Sequence, residues 1–213
     1  FVKDDDKTNL IELYQKMFSL AKIDKKITNF DFIKIKVDNK TSSKININNY
    51  IHLHLNEKWF NELYINKYTD INPSYKNFVN FILDLAKREN LLISTGLIDF
   101  NLLNELKSNF FFDSNLNIFK KKVGDKIIYL VDKQTLLDLE SLLKKSKIFI
   151  NCHSGIIHLA NSYNIKILDI IDKKRSAWYI RFTGYLSNYN LIYRSSFEIL
   201  SKEILDFYDK NYN

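Results

Sequence analysis

Residues 151–160 read NCHSGIIHLA, a window holding two of the chain's four histidines and one of its four glycines. On one side lies the apolar run KIFIN (147–151), on the other a helix-like pattern. Such a seam is a helix start at the end of a strand. Unpaired amides and the positive end of the helix dipole favour a phosphate at such a point. Ser154 is read as the cap on those amides, and Gly155 as the place where backbone approaches a ligand without a Cβ in the way. Ser154 and His158 are four apart and share a helix face, so the His158 ring can donate a hydrogen bond one turn in. The plain alternative is an ordinary strand-to-helix turn with a satisfied, half-buried histidine, and spacing alone does not separate the two.

Other residues carry chemistry at similar places. Lys58 follows Glu57 and by itself reads as half of a surface ion pair. Asp99 stands just past Gly96, where folds of this class hold ribose hydroxyls, and it equally suits the cap of the next helix. His52 and His54 alternate on one strand and share a face. Two histidines so placed suit a metal, but no third ligand accompanies them, so a packed or cleft-lining role is expected, with no metal. The stretch DKKRSAWYIRF (172–182) sets Lys173, Lys174 and Arg175 beside Trp178. It suits phosphates, another anionic ligand or lipid head groups, or a solvated helix start. Asp4–Asp6, and Asp169 with Asp172, read as caps or solvated turns rather than metal-binding carboxylates.

These residues need elements to position them. A helix is expected around Leu10–Leu20 after a cap at Thr8, then a strand at 32–37 (FIKIKV). From Tyr50 onward strands and helices alternate: strands at 50–55, 90–96, 126–131, 147–151, 165–171 and 190–193. Helices fall at about 74–89, 99–108, 134–146 and 155–163, with a last one from Ser195 or Ser196; the stretch between 109 and 125 has no clear period. Apolar strands alternating with amphipathic helices predict an α/β fold with a Rossmann-like, mostly parallel sheet and helices on both faces. Ligands of such sheets sit at the carboxyl ends of the strands, where every motif above lies. Residues 1–48 stand apart from this alternation, which occupies 49–213.

Composition narrows the function classes. The 213 residues suffice for one core and are short for two full domains. A net charge of +7 favours an anionic partner, but the cations are spread along the chain and do not form a nucleic-acid stripe. The single Cys152 excludes an internal disulfide and fits a reducing compartment. No apolar run approaches the ~18–20 residues of a spanning helix, so a cytoplasmic chain is expected, with peripheral contact at the inner face of an anionic membrane as an option. The chain starts at Phe1, and an upstream segment is expected.

The segment LLDLESLLKKSKIFINCHSGIIHLANSYNIKILDI (136–170) resembles the donor-site region of the heptosyltransferase-like family, glycosyltransferase family 9. Ser154, Gly155 and His158 fall on the family's Ser/Thr, Gly and His positions, and Ala160 in the small-residue region that follows. HLHLNEKWFNE (52–62) is similar to the family's first-strand loop, with Lys58 on the lysine that meets the donor diphosphate. A weaker likeness covers 78–99, so that about 50–170 match in order. The resemblance implies the carboxyl-terminal, donor-binding half of a two-domain GT-B-type enzyme. It implies sugar transfer from a nucleoside-diphosphate sugar to a cell-surface glycan or lipid-linked acceptor, without a metal or other cofactor. Residues 1–48 would then link to an upstream acceptor domain that supplies the general base, so this chain alone would be incomplete as an enzyme. The donor contacts would be Lys58, Ser154, Gly155, His158 and His153, with Asp99 on the ribose. Two departures stand out: His153 occupies a position that is usually acidic, and DIIDKKRSAWY (169–179) replaces the family's Gly-Pro-Thr loop. A non-catalytic nucleotide-binding module and an epimerase-type enzyme of the same fold are the alternatives.

Overall fold

The computed structural model describes residues 10–26, 45–60, 70–96 and 99–212. The cap at Thr8, the carboxylates Asp4–Asp6 and the strand expected at 32–37 lie outside them. Eight strands form one sheet: β1 (Tyr50–Leu55), β2 (Leu91–Thr95), β3 (Phe111–Asp113), β4 (Ile118–Val123), β5 (Lys126–Val131), β6 (Ser146–Cys152), β7 (Lys166–Ile171) and β8 (Tyr189–Tyr193). Their spatial order is β3-β4-β5-β2-β1-β6-β7-β8. From β5 to β8 every pairing is parallel, while β3 and β4 add an antiparallel hairpin at one edge. The helices are α1 (Leu10–Leu20), α2 (Tyr75–Arg88), α3 (Asn101–Ser108), α4 (Leu136–Leu143), α5 (Ile156–Ser162), α6 (Ser176–Thr183) and α7 (Phe197–Tyr212).

The central strands are apolar because helices cover both of their faces. Ile51, Leu53 and Leu55 of β1 pack under α2, α3 and α7, with Phe78, Phe81, Ile82 and Leu85 of α2 forming the facing stripe. Residues of the opposite parity, Tyr50 and Leu92, pack towards Leu142 of α4. Phe149 on the same side packs with Ile157 and Ala160 of α5. Local signals agree with this packing. The Ser74 hydroxyl accepts from the Asn77 amide at the start of α2, and Thr135 with Asp138 forms a capping box on α4. No helix among the described residues is long and apolar enough to cross a membrane.

Two regions differ from the sequence expectation. The unpatterned stretch 109–125 is the β3–β4 hairpin, whose turn is made by the Asp113 carboxylate accepting from the Asn115 and Leu116 amides and by Asn117 at φ 56°. It escapes periodicity because its short edge strands are of mixed burial, with Phe111 and Phe112 exposed. The cationic stretch is a short 3-10 turn (Lys173–Arg175) leading into α6, with Asp172 capping the turn through the Lys174 amide.

The topology also fixes where a ligand can sit. From β1 the chain moves outward to β2 and then β5 on one side, and returns to build β6, β7 and β8 on the other. The order therefore reverses between β1 and β6, and the crevice of such a sheet lies at the carboxyl ends of those two strands. Lys58 follows β1 there, and Ser154 follows β6.

Candidate functional site at the β1–β6 crevice

β1 ends at Leu55 and the chain enters a 3-10 turn, Glu57–Trp59. Asn56 ties this turn to β6. Its Oδ1 accepts from the Lys58 amide, and its Nδ2 donates to Asn151 Oδ1 and to the Cys152 carbonyl (2.5 Å). The indole of buried Trp59 donates to the His54 carbonyl and locks the turn from below. Arg194, with its side chain only 2% exposed, grips the same turn from β8's end, donating to the Lys58 carbonyl at 2.9 Å while pairing with Asp70 through two nitrogens. These contacts send the half-buried Lys58 side chain across the crevice, where Nζ donates to the His153 carbonyl at 2.5 Å. An ammonium has three N–H donors, so two remain for a ligand.

On the β6 side the carbonyls of Cys152 and His153 are therefore both engaged from β1. Among the described residues nothing accepts from the amides of Ser154 and Gly155. Gly155 is exposed, and a Cβ added to it would meet nothing within 4 Å. Its backbone is ordinary right-handed at φ −58°, so openness rather than conformational need characterises the position. The expectation that Ser154 caps the helix is corrected: Gly155 holds the cap position, without a side-chain hydrogen bond, and the Ser154 hydroxyl accepts from Asn151 Nδ2 at 3.0 Å. His158 sits one turn in, half-buried. Its Nδ1 pairs with the Tyr185 hydroxyl at 2.7 Å and its ring stacks on Tyr185, while burial holds it below the usual histidine range.

His153 is the least expected member. Its Nδ1 meets Asp169 Oδ2 at 2.6 Å, and Tyr189 donates to the same oxygen at 2.8 Å. Asp169 is fully buried in β7, which corrects its reading as a cap or solvated turn; only Asp172 caps. A buried carboxylate needs such partners, because an uncompensated charge in the interior is costly. Burial and the Asp169 charge push the Tyr189 hydroxyl well above the usual tyrosine range, so it stays protonated as a donor. The His153 ring lies edge-on to Tyr179 at 4.3 Å and to Trp178 at 6.2 Å. Trp178 is 42% exposed and, with Lys174, Arg175 and Ala177, lines a cleft of about 330 Å³.

The remaining candidates are placed elsewhere. Asp99 is exposed and accepts from the Asn104 side chain; Phe100, not Asp99, holds the cap position of α3. His52 and His54 are buried in the sheet, with His52 on the Ser146 and Ser94 hydroxyls and His54 on Ser94. Sequence reasoning missed Asn56, Asn151, Arg194 and the true role of Asp169. One signal was available. Ser94, His54, Asn151 and Asp169 are in register across four adjacent strands, each a polar residue interrupting an apolar strand near its carboxyl end.

No protein-family model and no curated protein matches the chain. Among solved structures, the chain is similar to E. coli ADP-heptose LPS heptosyltransferase II, with a TM-score of 0.56 and 11% identity over 89% of this chain and 56% of that one. A second likeness, to the wall teichoic acid polymerase TagF, has a TM-score of 0.38 and 14% identity over 81% and 39% of the two chains. At such identity the first likeness establishes the fold, and the chain spans little more than half the heptosyltransferase's length (56%).

Proposed function

We propose that this chain is the nucleotide-sugar-binding half of a GT-B-type glycosyltransferase. In this reading the crevice between β1 and β6 takes the diphosphate of a nucleoside-diphosphate sugar, and the sugar passes to a glycan or glycolipid acceptor. The observation that carries the reading is the Lys58 ammonium reaching the turn whose Ser154 and Gly155 amides have no acceptor among the described residues. Fixed N–H donors and a point charge at one spot match the negative charge that builds up as a diphosphate leaves. Neither group must reorganise when that happens, because Asn56 and Arg194 already hold the Lys58 turn. The similarity in fold to a heptosyltransferase supports the same class, while the base, the sugar and the acceptor are open to experiment. The cations of 173–175 suit contact with an anionic acceptor or an anionic membrane surface.

Titration calorimetry with ADP, GDP and UDP, free and sugar-linked, tests this reading. At least one should bind, and Lys58→Ala should weaken it about tenfold or more, the loss of one charge-assisted contact of roughly 1.5–3 kcal/mol. Absence of binding by all of them would overturn it.

A further inference from the structure

We infer that the chain carries its own general base: His153, positioned by Asp169, takes the proton of the hydroxyl that attacks the sugar. This rests on the glycosyl-transfer reading above and adds to it, since the resemblance places the base in an upstream domain.

The geometry is that of a ring held by one nitrogen so that the other is free to react. A carboxylate can only accept, so the nitrogen facing Asp169 Oδ2 carries the ring's proton, an assignment made from the hydrogen-bond partners. In the neutral ring the lone pair then resides on Nε2. Among the described residues Nε2 has no partner, and the side chain keeps 13% of its surface open. His153 differs in this from the chain's other histidines. His52 and His54 are fully buried against serine hydroxyls, and His158 is paired with Tyr185. The ring leans on Trp178, which also walls the cleft with Lys174 and Arg175. Two cations and an exposed indole suit an acceptor that carries negative charge beside a sugar face. The diphosphate turn begins at the very next residue, Ser154, so acceptor and donor sites share His153 as their boundary.

The step balances. The acceptor hydroxyl oxygen bonds to the anomeric carbon as its proton passes to Nε2. The bond from that carbon to the diphosphate oxygen breaks, and its electron pair leaves with the diphosphate towards Lys58 and the turn amides. Asp169 then faces an imidazolium, which releases its proton to solvent. The charged and titratable groups around the ring are Asp169 on β7, Tyr189 on β8, Tyr179 on α6, His158 on α5 and Lys58, whose ammonium meets the His153 carbonyl.

The test uses the full chain and the nucleotide sugar that binds it best in calorimetry. Release of nucleoside diphosphate is followed from pH 5 to 9, with water as acceptor and with a phosphorylated glycan as acceptor. The rate should fall at acidic pH as the base is protonated. His153→Gln should still bind the nucleotide sugar in calorimetry, with any loss of affinity far smaller than the loss of rate at saturating donor, which should be roughly 10²–10⁴-fold, and it should lose the acidic limb. Asp169→Asn should shift the limb towards lower pH and, in ¹⁵N spectra of the imidazole, move the proton off Nδ1; Tyr189→Phe, which removes a donor from Asp169 Oδ2 and leaves that carboxylate a stronger partner for the ring, should shift the limb the opposite way. Nucleotide sugar that binds but yields no nucleoside diphosphate with either acceptor, a rate that rises as pH falls, or a His153→Gln variant of unchanged profile would each overturn the inference while leaving the donor-binding reading intact. Failure of every nucleotide to bind would instead remove that reading and the inference with it.

Discussion

At the scale of the residue, the crevice depends on groups that never touch a ligand. Arg194 donates to the Lys58 carbonyl and to Asp70 from a side chain only 2% exposed, so its guanidinium fixes the turn that aims the ammonium. Arg194→Met should cost about 1–3 kcal/mol in urea unfolding, the penalty of lost buried partners, and should weaken nucleotide binding in parallel. A stability loss with unchanged affinity would show that Lys58 is aimed by something else. Cys152 illustrates the opposite case. It is fully buried at the end of β6, and burial pushes its thiol far above the usual range. It should therefore resist thiol reagents in the folded chain and react only as urea opens the sheet, a comparison that mass spectrometry reads directly.

At the scale of the element, strand ends and helix starts do the positioning. β1 and β6 run side by side, with His54 opposite Asn151, which brings Asn56 within reach of the Cys152 carbonyl. α5 begins just beyond, at Ile156; the Ser154 and Gly155 amides before it have no acceptor among the described residues, and the preceding Cys152 and His153 carbonyls accept from Asn56 and Lys58. α4, one connection earlier, shows what a fully capped start looks like: Thr135 accepts from the Asp138 amide and the Asp138 side chain accepts from Thr135. Thr135→Ala should cost about 1 kcal/mol by thermal or urea unfolding and leave nucleotide affinity unchanged. The contrast between a closed start at α4 and an open one at α5 is a local reason to place a ligand at the latter.

At the scale of the whole molecule, the sheet buries titratable groups whose protonation opposes folding. Burial holds His54 down at about 4 and lowers His52 well below the ordinary histidine range, with His54 beside it adding to the effect. Both rings are neutral in the folded chain near neutrality, whereas in the unfolded chain they take up protons below the ordinary histidine value of about 6.5. Their contribution is therefore intact above about pH 6.5 and is lost as pH falls from there towards about 4. For His54 alone the loss amounts to on the order of 3 kcal/mol across that window. Urea midpoints should drop steeply between about pH 6.5 and 4.5, and a His54→Gln variant should show a shallower drop. A flat midpoint through this window would mean that the two rings are not buried as described.

The sequence by itself determined the class of fold, because continuous apolar strands and amphipathic helices with their caps can be read one segment at a time. The buried stripe of α2, the capping box of α4 and the apolar run of β6 are local facts. So is the glycine-opened turn after β6, which marks the Ser154 stretch as a candidate from residue types and spacing, whereas Lys58 stands out as a phosphate contact only through the family resemblance. What only the tertiary structure decided is which side chains meet. Asp169 reads as a turn residue in the sequence because its own neighbours give no hint that β6 and β8 enclose it, bringing His153 and Tyr189 to one oxygen. Arg194 and Lys58 lie 136 residues apart and become partners only through the sheet order. Contacts across strands depend on register, and register is settled by the whole sheet packing at once rather than by any stretch of the chain.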